Sequence, residues 1–146
     1  MVEHVPTEQD WGDWQADLDT KYAHDLFAGK TNQEMKSRFR DNAIERAADL
    51  AWMPPIPFRY YMLGFRDYVM SGDFNPLWVS DSASCYLRLI EDKLRKKPQD
   101  ILPIMSELMP SIEHIAHNQV TYQAPVDIYG DFKELLGTIR ELYGNA

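Results

Sequence analysis

The sequence has little of what marks a secreted, membrane-spanning or disulfide-stabilised protein. Its single cysteine, Cys85, cannot form a disulfide within the chain, which is typical of a reducing compartment. Residues 1–6 have neither the cationic start nor the apolar run of a signal peptide. No apolar run approaches the roughly 20 residues that a membrane-spanning helix needs. These absences predict a cytoplasmic protein without a membrane segment.

The sequence also lacks the common catalytic and cofactor-binding motifs. Its seven glycines are scattered singly, and neither Gly-x-Ser-x-Gly nor His-Glu-x-x-His occurs. His114 and His117 have the spacing of two metal ligands on one helix, but no second pair accompanies them, and isolated helical histidines are usually structural or exposed. We therefore predict neither a metal nor another cofactor. An enzyme with an unrecognised site around Cys85 or around His114 and His117 stays an alternative.

Basic residues are in deficit, since 15 lysines and arginines face 23 aspartates and glutamates, for a formal net charge of −8. Direct binding to a phosphate backbone needs a basic patch, so the charge argues against a nucleic-acid-binding protein. The bases between Arg88 and Lys97 are interspersed with Glu91 and Asp92, which indicates a mixed surface. A basic protein is the partner that this charge fits best.

The chain is long enough for one domain, and we expect residues 1–146 to form it. Apolar residues recur at helical spacing between glycine and proline breaks, and no pair of strands is evident. This pattern predicts an all-α, single-domain bundle of about six amphipathic helices. An acidic first helix over residues 7–28 precedes a helical scaffold over residues 31–143. The scaffold helices are expected from Thr31 to before Pro54, over 57–71, from Ser80 or Asp81 to Lys97, from Pro98 to a loop at 119–125 with a kink or split at Pro110, and over 126–143.

The first helix is the most distinctive feature of the sequence. Residues 1–29 hold seven acids and one base, a net charge of −6, whereas the remaining residues hold 14 bases and 16 acids. The apolar face of this helix is expected to contain Trp11, Trp14, Leu18, Tyr22 and Leu26. Whether the two tryptophans lie in the core or on the surface stays open, and the acids alone are equally compatible with a solvated face. The candidate partner-binding residues are Asp10, Trp11, Asp13, Trp14, Asp17 and Asp25, of which Asp10, Asp13 and Asp17 would share one helix face.

The segment over residues 52–61 is rich in aromatic residues and proline. It could form a rigid recognition surface, but apolar residues at helix junctions usually pack inward. We interpret it as a corner between two helices, packed on the core.

These features favour a protein-binding inhibitor or regulator. In size, acidity and absence of catalytic motifs the chain resembles the acidic immunity proteins with which bacteria neutralise basic toxins. The implied mechanism is occlusion, in which the acidic helix covers the cationic cleft of a cytosolic toxin such as a nuclease. The alternatives are a nucleic-acid mimic that binds a DNA-binding protein, an enzyme, and a homo-oligomeric structural subunit. The sequence does not indicate an oligomeric state.

Overall fold

The computed structural model of the protein describes residues 4–146, which form helices joined by short turns, and no strand occurs among them. The predicted all-α fold is confirmed. Two short 3-10 turns lie between helices, at Trp14–Ala16 and Leu102–Ile104. The helices are α1 (Glu8–Trp11), α2 (Leu18–Phe27), α3 (Asn32–Asp41), α4 (Ala43–Ala51), α5 (Pro55–Ser71), α6 (Val79–Lys96), α7 (Pro98–Ile101), α8 (Met105–His117), α9 (Val126–Tyr129) and α10 (Phe132–Gly144).

Several of the long predicted helices are interrupted where the sequence offers a cap. Gly12 and Gly130 adopt positive φ angles of 60° and 79° and end α1 and α9. The side chain of Asn42 accepts a hydrogen bond from the backbone N–H of Glu45 and begins α4. Pro110 lies inside α8 and does not split it, whereas the break falls in the 3-10 turn at Leu102–Ile104.

The core is built around α5, which buries ten of its seventeen residues. Helix α3 packs along α5, α4 along α6, and α10 along both α6 and α8. Aromatic rings link these layers: Phe39 stacks on Phe65 at 4.9 Å, and Phe65 meets the edge of Tyr86 at 5.3 Å. Buried side chains from Trp11 to Ile139 belong to one hydrophobic cluster.

Two buried ion pairs lie beside this cluster. Arg46 Nε donates to Asp49 Oδ2 at 2.7 Å within α4, and Lys93 Nζ donates to Asp100 Oδ2 at 3.3 Å between α6 and α7. The Lys93 ammonium also lies 4.5 Å from the centre of the Phe58 ring. Burial lowers the pKa of Lys93, although Asp100 opposes that effect. Each buried charge therefore has a partner of opposite sign, as a folded interior requires.

None of the helices within residues 4–146 has the length and apolar character needed to cross a membrane.

Candidate protein-binding surface

The predicted acidic first helix is replaced by three short pieces. Thr7 and Asp10 form a reciprocal capping box at the start of α1, and Gly12 ends that helix after one turn. The side chain of Asp17 then caps α2 by accepting from the backbone N–H of Thr20 at 3.0 Å. The prediction of one continuous helix over residues 7–28 is therefore wrong. Asp10, Asp13 and Asp17 do not share one helix face, because they lie in α1, before the 3-10 turn and at the start of α2.

Trp11 lies in the core. Its ring is fully buried, 5.2 Å from the His24 ring and 6.3 Å from that of Tyr61. Its Nε1–H has no hydrogen-bond partner among the described residues. A side chain without exposed surface cannot insert into a partner, so the expectation that Trp11 anchors a complex is corrected.

Trp14 is half-buried and stacks on His24, with ring centres 3.6 Å apart and planes inclined by 5°. His24 Nε2 lies 2.7 Å from Glu8 Oε2, and its Nδ1 lies 3.4 Å from Asp25 Oδ1. The imidazole thus connects α1 and the 3-10 turn to α2 through one ring stack and two polar contacts. Trp14 and His24 hold the N-terminal segment together, and only part of the Trp14 ring remains accessible.

The carboxylates of the segment differ in how they are engaged. Asp10 accepts from the backbone N–H of Thr7 at 2.8 Å, and Asp17 accepts from both the N–H and the hydroxyl of Thr20. Asp25 pairs with Lys21 at 2.8 Å, and this contact, followed by that of His24, lowers the pKa of Asp25. Neutral N–H and O–H donors leave the charge of a capping carboxylate in place, so the surface stays acidic.

Asp13 and Asp19 are exposed, and their carboxylates have no hydrogen bond or ion pair among residues 4–146. The sequence singled out Asp13 but not Asp19. Both are available to a partner without loss of a contact within the chain.

The exposed apolar residues of this region lie on α2. Leu18 is 82% exposed and Tyr22 is 55% exposed, one helical turn apart. The expected apolar face of the first helix is wrong at both positions, because α2 buries Ala23, His24 and Phe27 instead. Together with the exposed acids beside them, these residues form a surface that we call the acidic outer face of α2: Leu18, Asp19, Tyr22 and Asp25.

The alternative catalytic candidates lie on other helices, Cys85 on α6 and His114 and His117 on α8. Burial raises the pKa of the Cys85 thiol to about 11, and nearby Asp81 adds to the rise, so at neutral pH the thiol is protonated and a poor nucleophile. His114 and His117 are both exposed. Within residues 4–146, no three histidine, cysteine or acidic side chains come together in a way that could hold a metal ion.

The acidic outer face of α2 thus differs from the other features of the N-terminal segment in joining large exposed apolar side chains to exposed acids, of which Asp19 has no ion pair among residues 4–146. The chain matches no protein-family model, and no curated protein or solved structure is significantly similar to it.

Proposed function

We propose that this protein binds a basic partner protein through the acidic outer face of α2 and inhibits or regulates that partner by covering it. The exposure of Leu18 and Tyr22, one turn apart and flanked by Asp19 and Asp25, carries the proposal. Large apolar side chains inside a charged rim are the arrangement that protein interfaces use.

The apolar pair supplies affinity. Complete burial of a leucine side chain contributes about 1.5–3 kcal/mol, and tyrosine is among the residues that most often dominate interface energies. Leu18 and Tyr22 project from a formed helix, so little backbone ordering opposes binding. They take the place of the two tryptophans as the anchors of the complex.

The acids supply selectivity for a basic partner. Residues 4–29 hold six acids and one base, for a net charge of −5. A field of one sign accelerates the encounter with an oppositely charged surface, and salt screens this attraction. A cationic cleft, such as the phosphate-binding cleft of a nuclease, is the kind of surface that the acidic face would occlude.

The proposed setting is the bacterial cytosol, where the single cysteine stays reduced and a toxin would meet its inhibitor. An immunity protein is the biological role that we propose for such an inhibitor. It is supported by the acidic surface.

A pair of matched charge reversals tests the proposal. The partner is captured from the source cells on the wild-type protein, identified by mass spectrometry, purified, and used to measure association rates at low and high salt. The test variant is Asp19→Lys/Asp25→Lys, which reverses both acids of the acidic outer face of α2. The control is Glu134→Lys/Glu141→Lys on α10, which reverses two other exposed acids and changes the net charge equally. A third variant, Leu18→Ser/Tyr22→Ser, removes the apolar anchors.

We expect the test variant to associate at least tenfold more slowly at low salt, with a smaller difference at high salt. The control should keep the wild-type rate within about threefold, because its charges lie on another helix. Leu18→Ser/Tyr22→Ser should raise the dissociation rate, because anchor contacts act mainly after encounter. Equal effects of the test and control variants would refute a specific acidic face. A captured partner that is a DNA-binding protein without nuclease or other toxic activity would instead favour the nucleic-acid mimic.

A further inference from the structure

A groove runs along the surface between α4 and α6. Two depressions of about 360 and 260 Å³ share Ala51, Leu89 and Asp92 and are therefore continuous. Trp52, expected at a packed corner, is 52% exposed and lines the second depression. The groove is thus an open, partly apolar channel that borders the buried side of α4, since the buried Ala47 also lines it.

The α4 wall of the groove is apolar. Ile44, Ala48, Ala51 and Trp52 are all exposed and follow one another at intervals of four, three and one residues, so they form one stripe along the helix. The stripe spans about 12 Å at 1.5 Å per residue, a little over two helical turns. It is a helix face that nothing within residues 4–146 covers.

The α6 wall carries alternating charge. Arg88, Asp92 and Lys96 line the groove at intervals of one helical turn, and all three side chains are exposed. Along these three side chains the charge order is positive, negative, positive over about 12 Å. Glu91, which pairs with Arg88, and Lys97, which extends the positive end, also line the groove. An occupant that pairs with the three side chains must carry negative, positive and negative charges at the same spacing, beside an apolar stripe.

The outer side of α2 has that pattern. Asp17, Lys21 and Asp25 are spaced by four residues, and each is followed by an apolar residue of α2, of which Leu18 and Tyr22 are strongly exposed. The charge order is symmetric about Lys21, so it complements the α6 wall whichever way the helix runs. Asp17 to Asp25 span about 12 Å along the helix, which matches the spacing from Arg88 to Lys96.

We propose that the groove between α4 and α6 binds α2 of a second copy of this chain. Leu18 and Tyr22 pack against Trp52 and the alanines of α4, and Lys21 pairs with Asp92 at the centre of the contact. The two residues pair within their own helices in the free chain, Lys21 with Asp25 and Asp92 with Lys96. Such exposed pairs contribute little, so they can exchange partners at low cost.

Self-association would cover the face that the proposed function assigns to the basic partner. The two interactions would then exclude each other, and a rising concentration of the protein would withdraw it from its partner. This consequence rests on the proposed function, whereas the association itself does not. Self-association is measured without the partner, so either proposal can fail while the other stands.

Charge exchange at the central pair tests the contact. Sedimentation equilibrium is measured over a wide concentration range for the full-length wild type, Lys21→Glu, Asp92→Lys and the double variant Lys21→Glu/Asp92→Lys. Both positions are exposed, so the fold should persist, and circular dichroism verifies this. Lys133→Glu and Glu141→Lys on α10 are the controls, because they make the same changes in charge at exposed positions of another helix.

We expect the wild type to associate as its concentration rises, each single variant to weaken association about tenfold, and the double variant to restore it to within about threefold. The two controls should associate like the wild type. A wild type that stays monomeric at every concentration would overturn the proposal and leave the groove to another occupant. A double variant that is weaker than both single variants, or controls that weaken association equally, would overturn it as well.

Discussion

The N-terminal segment over residues 7–27 and the central helix α5 are stabilised in different ways. Helix α5 buries ten of seventeen residues, whereas α2 buries three of ten. Packing along α5 is shared among many side chains. The N-terminal segment depends on fewer contacts: the buried Trp11 and Phe27, the stack of Trp14 on His24, and the Asp17 cap.

The difference shows how large apolar side chains can be exposed on one segment while the core beside it stays well packed. A segment attached by a few strong contacts is free to present large apolar residues to solvent, since its own stability does not need them. The central helix exposes large apolar side chains near its two ends, at Ile56 and Met70, whereas its middle turns are occupied by core packing. Substitutions in the two regions should therefore differ both in size and in the part of the chain that responds.

The largest effect is expected at Trp11. Trp11→Ala empties a fully buried site and should lower the free energy of unfolding by about 3–5 kcal/mol. The half-exposed Trp52 is the matched control, and Trp52→Ala should change stability by about 0.5 kcal/mol or less. Urea denaturation gives both values. Hydrogen exchange should show protection lost first over residues 7–27 in Trp11→Ala, and uniform loss over α5 and α6 would contradict the local attachment of this segment.

A substitution at Gly64 tests the packing of the central helix α5. A Cβ at this position of α5 would lie 2.5 Å from Cγ of Asn32 and closer still to its Oδ1, because α3 crosses α5 there. Gly64→Ala should therefore cost about 1–3 kcal/mol despite the better helix propensity of alanine. A Cβ added at Gly137 in α10 would meet nothing within 4 Å, so Gly137→Ala should stabilise the protein by about 0.5–1 kcal/mol. Thermal unfolding of the two variants should shift in opposite directions, and a shared direction would contradict the close approach of α3 and α5.

Two helices of the scaffold were predictable with their bounds from sequence, whereas the other three predicted scaffold helices are interrupted and the N-terminal segment is not one helix. The predicted helices over 57–71 and from Ser80 or Asp81 to Lys97 agree with α5 and α6 within two residues, because one apolar stripe and a clear stop define each. Residues 18–27 contain two stripes at helical spacing. The one with Leu18 and Tyr22 faces solvent, and the other, with Ala23 and Phe27, faces the core.

The choice between the two stripes is made by tertiary contacts that the local pattern does not contain. Phe27 packs against Tyr61 at 4.9 Å and meets Phe39 at 6.1 Å, and both of those residues lie on other helices. The sequence also did not show which carboxylates cap a helix and which are free. A carboxylate that caps a helix, such as Asp17, and one that is free, such as Asp13, look alike until the helix starts are known.

Tyr61 of α5 is hydrogen-bonded to the N-terminal segment, and its ionisation should make the free energy of unfolding depend on pH. Its hydroxyl lies 2.7 Å from the carbonyl of Phe27 and 2.8 Å from that of Lys30, and Tyr61→Phe should cost about 1–2 kcal/mol at neutral pH. Burial raises the pKa of Tyr61 above its ordinary value near 10. A raised folded-state pKa gives stability that is complete below pH 10 and is lost as the pH rises toward the folded-state value.

The stability of the wild type should consequently fall above about pH 10, and Tyr61→Phe should fall less steeply over that range. Urea unfolding at neutral and alkaline pH measures both slopes. Tyr86→Phe is a useful comparison, since burial also raises the pKa of Tyr86 but its hydroxyl bonds to Ser111 within the scaffold. If hydrogen exchange at α2 responds equally to the two substitutions, Tyr61 is not a specific link to the N-terminal segment.

The smallest effect on stability is expected at Leu18 and Tyr22, the two residues that we propose as anchors of the complex. Leu18→Ser/Tyr22→Ser removes two large apolar side chains, which in a core would cost several kcal/mol. Both already lie largely in water, so the free energy of unfolding should change by about 0.5 kcal/mol or less. Ala23→Ser/Phe27→Ser, which makes the same kind of change on the buried face of the same helix, should instead destabilise the protein strongly. A large loss of stability in Leu18→Ser/Tyr22→Ser would mean that these residues support the fold. Their exposure would then no longer support the proposal that the acidic outer face of α2 binds a partner.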